Sequence, residues 1–300
     1  MKTLDDILTL AKKTGPKRVA VAQAEDEEVL LALEQARREG MVEAILIGRQ
    51  ERIEELASRN GIDPCKFKFH QEADGFSATL RCCQLVKSGK AHFLMKGLVG
   101  TAQFMRAILD KERGLATGRL LSHVAVFEIP TYSKLLMVTD AAINIAPTLM
   151  EKAQIIRNAV DVAHSLGTKL PNVACLAAVE KVYPDKMPAT LDCASLSMMA
   201  RRGQIKGAVV DGPFGLDNAV SEESARVKGV NSDMSGKVDV LLCPNVEAGN
   251  AIYKTLTAFA NVRCGAIVVG TDAPVVLTSR ADSQETKLAS VALGVVNCQC

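Results

Sequence analysis

From residue 18 onward the chain alternates short apolar runs with helical stretches, and that alternation leaves few folds open to it. Residues 18–22 form a brief apolar run. Ala24-Glu25-Asp26-Glu27-Glu28 then places acids where a helix dipole favours them, and residues 29–38 keep a helical period up to the stop at Gly40. Residues 42–47 and 50–60 repeat the pair, and a helix over 75–88, a strand over 92–95 and a helix over 102–111 extend it. This pitch predicts βαβ units and a parallel sheet, hence an α/β protein. Two extended runs, 120–127 and 134–138, precede a second series: helices over 149–166, 191–200 and 247–260, with strands over 173–177, 208–210 and 238–242. The last strand reads as 264–269 and the last helix as 285–296. Three hundred residues, 48% of them hydrophobic, exceed one typical domain, so two lobes are expected. A boundary near Ile129-Pro130, with the last helix returning to the first lobe, gives lobes of 1–129 plus 275–300 and of 130–274.

Composition narrows the partners. A net charge of +2 without a basic block, and 4% aromatics without Trp, argue against nucleic acid. No apolar run is long enough to span a bilayer, and Met1-Lys2-Thr3-Leu4-Asp5-Asp6 brings acids where a signal peptide turns hydrophobic. The nine cysteines contain no CxxC pair: Cys82-Cys83 are adjacent, and Cys298 and Cys300 stand one residue apart. His70, His92, His123 and His164 do not share a ligand spacing with them. Reduced thiols in a cytoplasmic protein, without a bound metal, are the expectation.

In open parallel sheets ligands bind beyond the carboxyl ends of strands, and polar residues gather at those places here. Lys96-Gly97-Leu98-Val99-Gly100-Thr101 is a glycine-bearing strand-to-helix turn followed by Arg106, suited to a phosphate but unlike a Walker A loop. Asp140 and Asn144 lie in the turn after the run 134–138, and Asp211 at the end of the strand 208–210. Asn250 and Lys254 open the helix 247–260. Thr278-Ser279-Arg280-Ala281-Asp282-Ser283 feeds the last helix, whose N-terminus makes either an anion site or an ordinary capped helix start.

Several of these stretches together resemble the phosphate acetyl/butyryltransferase family. They are Glu25-Asp26-Glu27-Glu28-Val29, Lys96 to Gly100, Asp140-Ala141-Ala142-Ile143-Asn144-Ile145-Ala146-Pro147, Asp211-Gly212-Pro213, Asp217-Asn218-Ala219, Gly249-Asn250-Ala251-Ile252-Tyr253-Lys254 and Pro274 to Arg280. Residues 178–192 and 199–207 look like the butyryl branch. The resemblance implies a two-lobed α/β/α fold similar to isocitrate and isopropylmalate dehydrogenases, with the active site in the interdomain cleft. It implies exchange of a short acyl group between coenzyme A and phosphate, without metal or nicotinamide, in a homo-oligomer of two or more chains. Ser279 and Arg280 fall on the family's catalytic Ser-Arg pair. The resemblance also makes Arg106 a phosphate or coenzyme A ligand, with Lys96, Gly97 and Thr101 in the same loop. The acetyl branch's catalytic aspartate falls on Thr286, which cannot act as a base, so Asp282 and Glu285 are the nearest acids for that role. Each also suits a cap or a helix first turn. A phosphate acetyltransferase, a metal- and NAD-dependent decarboxylating dehydrogenase on the same fold, and a non-catalytic binding protein are the alternatives.

Overall fold

The computed structural model describes residues 1–298, so Cys300 lies outside the described residues. These residues divide into two compact units. Unit A comprises Leu4–Arg119 and Gly265 onward, and unit B comprises Met1–Thr3 and Leu120–Cys264. The sequence placed these passages near Ile129-Pro130 and Pro274.

Unit A begins with helix α1 (Leu4–Thr14), strand β1 (Lys17–Ala22), α2 (Glu27–Arg38), β2 (Val42–Gly48) and α3 (Gln50–Arg59). It continues through β3 (Lys68–Gln71), α4 (Gly75–Lys87), β4 (Phe93–Lys96) and α5 (Thr101–Ile108). In unit B follow β5 (Ser122–Glu128), β6 (Leu136–Thr139), α6 (Leu149–Ser165), β7 (Asn172–Leu176), α7 (Pro188–Arg201) and β8 (Val209–Phe214). Then come α8 (Leu216–Val220), α9 (Glu222–Val227), β9 (Val240–Leu242) and α10 (Val246–Ala258); β10 (Arg263–Val269) starts at the passage back and belongs to unit A from Gly265 onward. Unit A closes with β11 (Val275–Val276) and α11 (Gln284–Asn297).

The strands of unit A run in the order β3-β2-β1-β4-β11-β10, all parallel except where β10 meets β11. Residues 19–22 and all of β4 are buried, as strands covered by helices on both faces must be. Helix α11 packs against α1 and α2, and Gly294 lets it lie on the Phe93 ring, 2.7 Å from where a Cβ would stand. In unit B the order is β5-β6-β9-β7-β8, antiparallel only between β5 and β6. The mixed, mostly parallel α/β architecture is the one the sequence period predicts.

Two strand expectations change. β3 was not expected, because Lys68-Phe69-His70-Gln71 has no apolar run; it is an edge strand with polar residues exposed along it. β8 extends through Gly212-Pro213 to Phe214 instead of stopping at Val210. Proline lacks a ladder N–H, but β8 is the last strand of its unit's order, where that loss is tolerated. Cys82, Cys83, Cys175, Cys193 and Cys243 are buried as small core side chains. No helix among the described residues is long and apolar enough to cross a membrane.

Candidate active site

Strands β4 and β11 are parallel neighbours in register, Val275 beside Leu94 and Val276 beside Met95. Their carboxyl ends therefore deliver the Lys96–Thr101 turn and the Leu277–Ser283 loop to one place. The first turn is drawn in by close backbone contact: Gly97 N–H donates to Ala22 O at 2.9 Å and Leu98 N–H to Gln23 O at 2.7 Å. A Cβ on Gly97 would stand 2.1 Å from Gln23 O, so only glycine allows that approach. The two loops are tied together by Arg280, whose guanidinium donates to Leu98 O at 2.9 Å.

Lys96 is buried, 4% exposed, and its Nζ donates to Gly97 O at 3.1 Å. Burial, then the neighbouring Arg280 charge, hold its pKa below the usual lysine value. Lys287, Asp26 and Asp282 also act on it. Both acids are already committed to backbone: Asp26 caps α2 by accepting from Val29 N–H at 3.0 Å, and Asp282 accepts from Ser279 N–H at 2.7 Å. Ser279 and Arg280 are exposed. The Ser279 hydroxyl accepts from Ala281 N–H at 3.3 Å, and its own proton meets no acceptor among the described residues. The pattern suits an anion: cations not neutralised by side chains, a free hydroxyl donor and backbone N–H groups.

The helix start that serves it is not the expected one. α11 is capped by Ser283, which accepts from Thr286 N–H at 3.3 Å, so the capping alternative describes that helix. α5 opens instead on Gly100, which offers no side-chain cap, and its exposed first residue is Thr101. The first N–H groups of α5 thus remain available to a ligand beside Arg280 and Lys96. Arg106 lies a turn further on, exposed and stacked over the Phe76 ring at 4.8 Å. Glu285 is exposed in the first turn of α11. Sequence reasoning passed over Lys287, a buried side chain whose Nζ donates to Asp282 O at 2.6 Å. Its signal was a lysine in the helical register of buried Val291 and Val295.

The remaining candidates belong to unit B. Asp140 is buried and its carboxylate accepts from the N–H groups of His123, Ala142, Ile143 and Asn144 and from the Asn144 amide at 2.6 Å. That saturation makes it the organiser of its turn. Asn144 also donates to Leu121 O at 2.8 Å. Helix α10 reaches this turn through Gly249, whose Cβ would lie 2.2 Å from Asp140 O. Asn250 donates to Ala141 O at 3.2 Å, and exposed Lys254 sits 5.4 Å from the Tyr253 ring centroid. Asp211 is inside β8, where it accepts from Gly212 N–H, Ser197 and Ser232. Strands β9 and β7 separate β6 from β8, about 14 Å at the usual strand spacing, so Asp211 and Asp140 share no partners. No group of three or more His, Cys, Asp or Glu among the described residues is placed to hold a metal.

A family model described as phosphate acetyl/butaryl transferase matches residues 77–295. The chain belongs to that family. It is 50% identical to a phosphate butyryltransferase of Clostridium acetobutylicum, covering 99% of this chain and 98% of that one. A branched-chain phosphotransacylase from Enterococcus faecalis superposes with a TM-score of 0.82 at 32% identity, over 94% of this chain and 99% of its own. At the level of fold alone, a 4-hydroxythreonine-4-phosphate dehydrogenase from Klebsiella pneumoniae matches 95% of this chain and 100% of its own, with a TM-score of 0.58 at 13% identity. The dehydrogenase-like fold and the family resemblance read from the sequence are thus both found. Neither the match to the family nor the likeness of fold assigns roles to single residues; the geometry of unit A has to do so.

Proposed function

We propose that this chain transfers a short acyl group, butyryl first among them, between coenzyme A and inorganic phosphate: acyl-CoA + phosphate = acyl phosphate + CoA. The observation that carries the site assignment is the meeting of Lys96, Ser279, Arg280 and the open start of α5 at the carboxyl ends of β4 and β11. Phosphate seats on the first N–H groups of α5 with Arg280 and Lys96 supplying positive charge, and Gly97 and Thr101 shape the turn beneath it. The phosphate oxygen attacks the thioester carbonyl, and the Ser279 hydroxyl donates to the oxyanion or to the departing thiolate. In reverse, the coenzyme A thiol must ionise; with a pKa near ~8.5 it needs a base or a positive field. Asp282 is the better placed acid, since its carboxylate already touches the Ser279 backbone, with Glu285 one step along the helix. Arg106 is assigned to the substrate, and in unit B Asp140, Asn144, Asp211 and Asn250 are assigned to the turns they hold, with Lys254 exposed on α10. Coenzyme A and phosphate are substrates, and no resident metal or nicotinamide takes part. A cytoplasmic location and assembly into a homodimer or larger homo-oligomer complete the reading.

The test is phosphate-dependent release of free thiol from acetyl-, butyryl- and isobutyryl-CoA by the purified chain. Highest kcat/KM with a four-carbon acyl group is expected. No thiol release with any of the three would overturn the activity, and a preference for acetyl-CoA would move the chain to the acetyl side of its family.

A further inference from the structure

Lys287 is 1% exposed, one of the largest fully buried side chains of the protein. Its ammonium carries three donors and no acceptor, so a buried position has to supply oxygen partners for it. Among the described residues its hydrogen-bond partner is a backbone oxygen, Asp282 O at 2.6 Å. Asp282 in turn accepts from Ser279 N–H through its carboxylate, at 2.7 Å. Ammonium, Asp282 and the Ser279 backbone therefore form one chain of contacts from the core to the surface loop. Lys287 and Arg280 both act on Lys96, as do the carboxylates of Asp26 and Asp282, so three cations and two carboxylates share one electrostatic neighbourhood. A methionine would follow most of the same path without that charge. The excess is intelligible when an anion completes the cluster.

We infer that Lys287 is a positioning residue for the reacting phosphate: from beneath the loop it fixes Asp282 and the Ser279–Arg280 turn, and it adds a fixed positive charge under the anion. The identity of the anion rests on the acyl-transfer reading; the geometry does not. Lys287 remains out of contact with the substrate and acts through the loop and through its field, which is stronger in a buried setting than in water.

The test uses the full chain with Lys287→Met, Lys287→Gln and Lys287→Arg. Two quantities are read: KM and kcat for phosphate and for butyryl-CoA, and the rise in Tm that inorganic phosphate produces. Lys287→Met is expected to raise KM for phosphate by about tenfold or more, as loss of a charge-assisted contact does, while KM for butyryl-CoA stays within about threefold. The phosphate-induced rise in Tm shrinks with it, and Lys287→Arg, which keeps the charge, recovers most of both. If Lys287→Met fails to fold, Lys287→Gln, which keeps a donor for Asp282 O, carries the same comparison. An unchanged phosphate KM and Tm rise, a loss in kcat alone, or a KM rise confined to butyryl-CoA would overturn the inference. Should the wild-type chain release no thiol from any acyl-CoA, the acyl-transfer reading falls, while the phosphate-induced Tm rise still reads the role of Lys287.

Discussion

Replacing Lys96 by methionine sets binding against folding at a single position. The side chain is 4% exposed, and burial together with the Arg280 charge depresses its pKa, so the folded protein disfavours its charged form. Methionine keeps most of the side chain's length and removes the ammonium. Two opposed terms decide the outcome. The Gly97 carbonyl loses its donor, which costs about 1 kcal/mol. Relief of a buried charge returns several kcal/mol in principle, reduced here because Asp26 and Asp282 already offset part of it. The balance favours the variant by about 1–3 kcal/mol, and each kcal/mol raises Tm by roughly 2–4 °C in a domain of this size. The gain is specific to the unliganded state. Phosphate at about 100 times its Kd stabilises the wild type by about 2.7 kcal/mol, and most of that increment vanishes in the variant. Thermal melts with and without phosphate, alongside kcat/KM, give the full comparison.

The dependence on pH follows from the same depressed pKa. Below the folded pKa of Lys96 both states hold the proton and the destabilisation is fully present. Between it and the ordinary value of 10.5 the unfolded chain binds more protons, so stability rises with pH across that window. Lys96→Met lacks that rise. A variant that melts lower than wild type without phosphate, or that keeps the wild-type phosphate increment and kcat/KM, would refute the reasoning.

Ser279→Ala and Arg280→Ala each lower kcat/KM by about tenfold or more; Tm is unchanged in the first and falls by a few degrees at most in the second, which loses one exposed hydrogen bond to Leu98 O while Asp282 still holds the loop; near-normal rates in both would remove the site. Asp282→Asn is expected to displace the alkaline or acid limb of the pH–rate profile more than Glu285→Gln, and a shift only in the latter would transfer the role of base. Gly97→Ala forces a Cβ against Gln23 O at 2.1 Å and costs about 1–3 kcal/mol together with most of the activity; a wild-type melting curve would contradict the packing argument. In unit B, Lys228 and Ser224 hold the Asp217 carboxyl at about 2 instead of 3.8. A depressed carboxylate stabilises above its unfolded pKa and loses that contribution as pH falls, so Lys228→Met makes the acid loss of stability shallower between the two values. Urea midpoints at neutral pH and at about pH 3 measure it, and an unchanged slope would dismiss the pair as solvent-screened.

Much of unit A could be read from sequence because its strands are buried on both faces and its helices start and stop on strong signals, as at Asp26 and Gly40. β3 escaped because an edge strand need not be apolar, and β8 was cut short because Gly212-Pro213 reads as a break wherever its place in the sheet is unknown. α8 and α9 are five and six residues long, too short to show a period. That the Lys96–Gly97 and Ser279–Arg280 loops come together was legible because each follows the carboxyl end of a strand. The committed state of Asp140 and Asp211 was not, since a carboxylate filled by backbone donors and one open to substrate have the same letter in the sequence.

Helix capping and anion binding were rival accounts of the Thr278–Ser283 loop, and under the proposed acyl transfer they become parts of one device. Ser283 caps α11, Asp282 ties down Ser279, and Lys287 ties down Asp282, so every acid or hydroxyl after Arg280 in the loop is engaged with backbone. A loop fixed in that way does not have to be ordered by its ligand, which lowers the entropy lost on binding. What it presents is an exposed hydroxyl and guanidinium at the foot of a second helix, α5, whose own start carries glycine where a cap would stand. A side-chain cap at Gly100 would spend on itself the N–H groups that a phosphate needs. The same reading accounts for Lys96 and Lys287 being buried: each is held beneath the loop by a backbone oxygen, Gly97 O and Asp282 O, and not by a salt bridge.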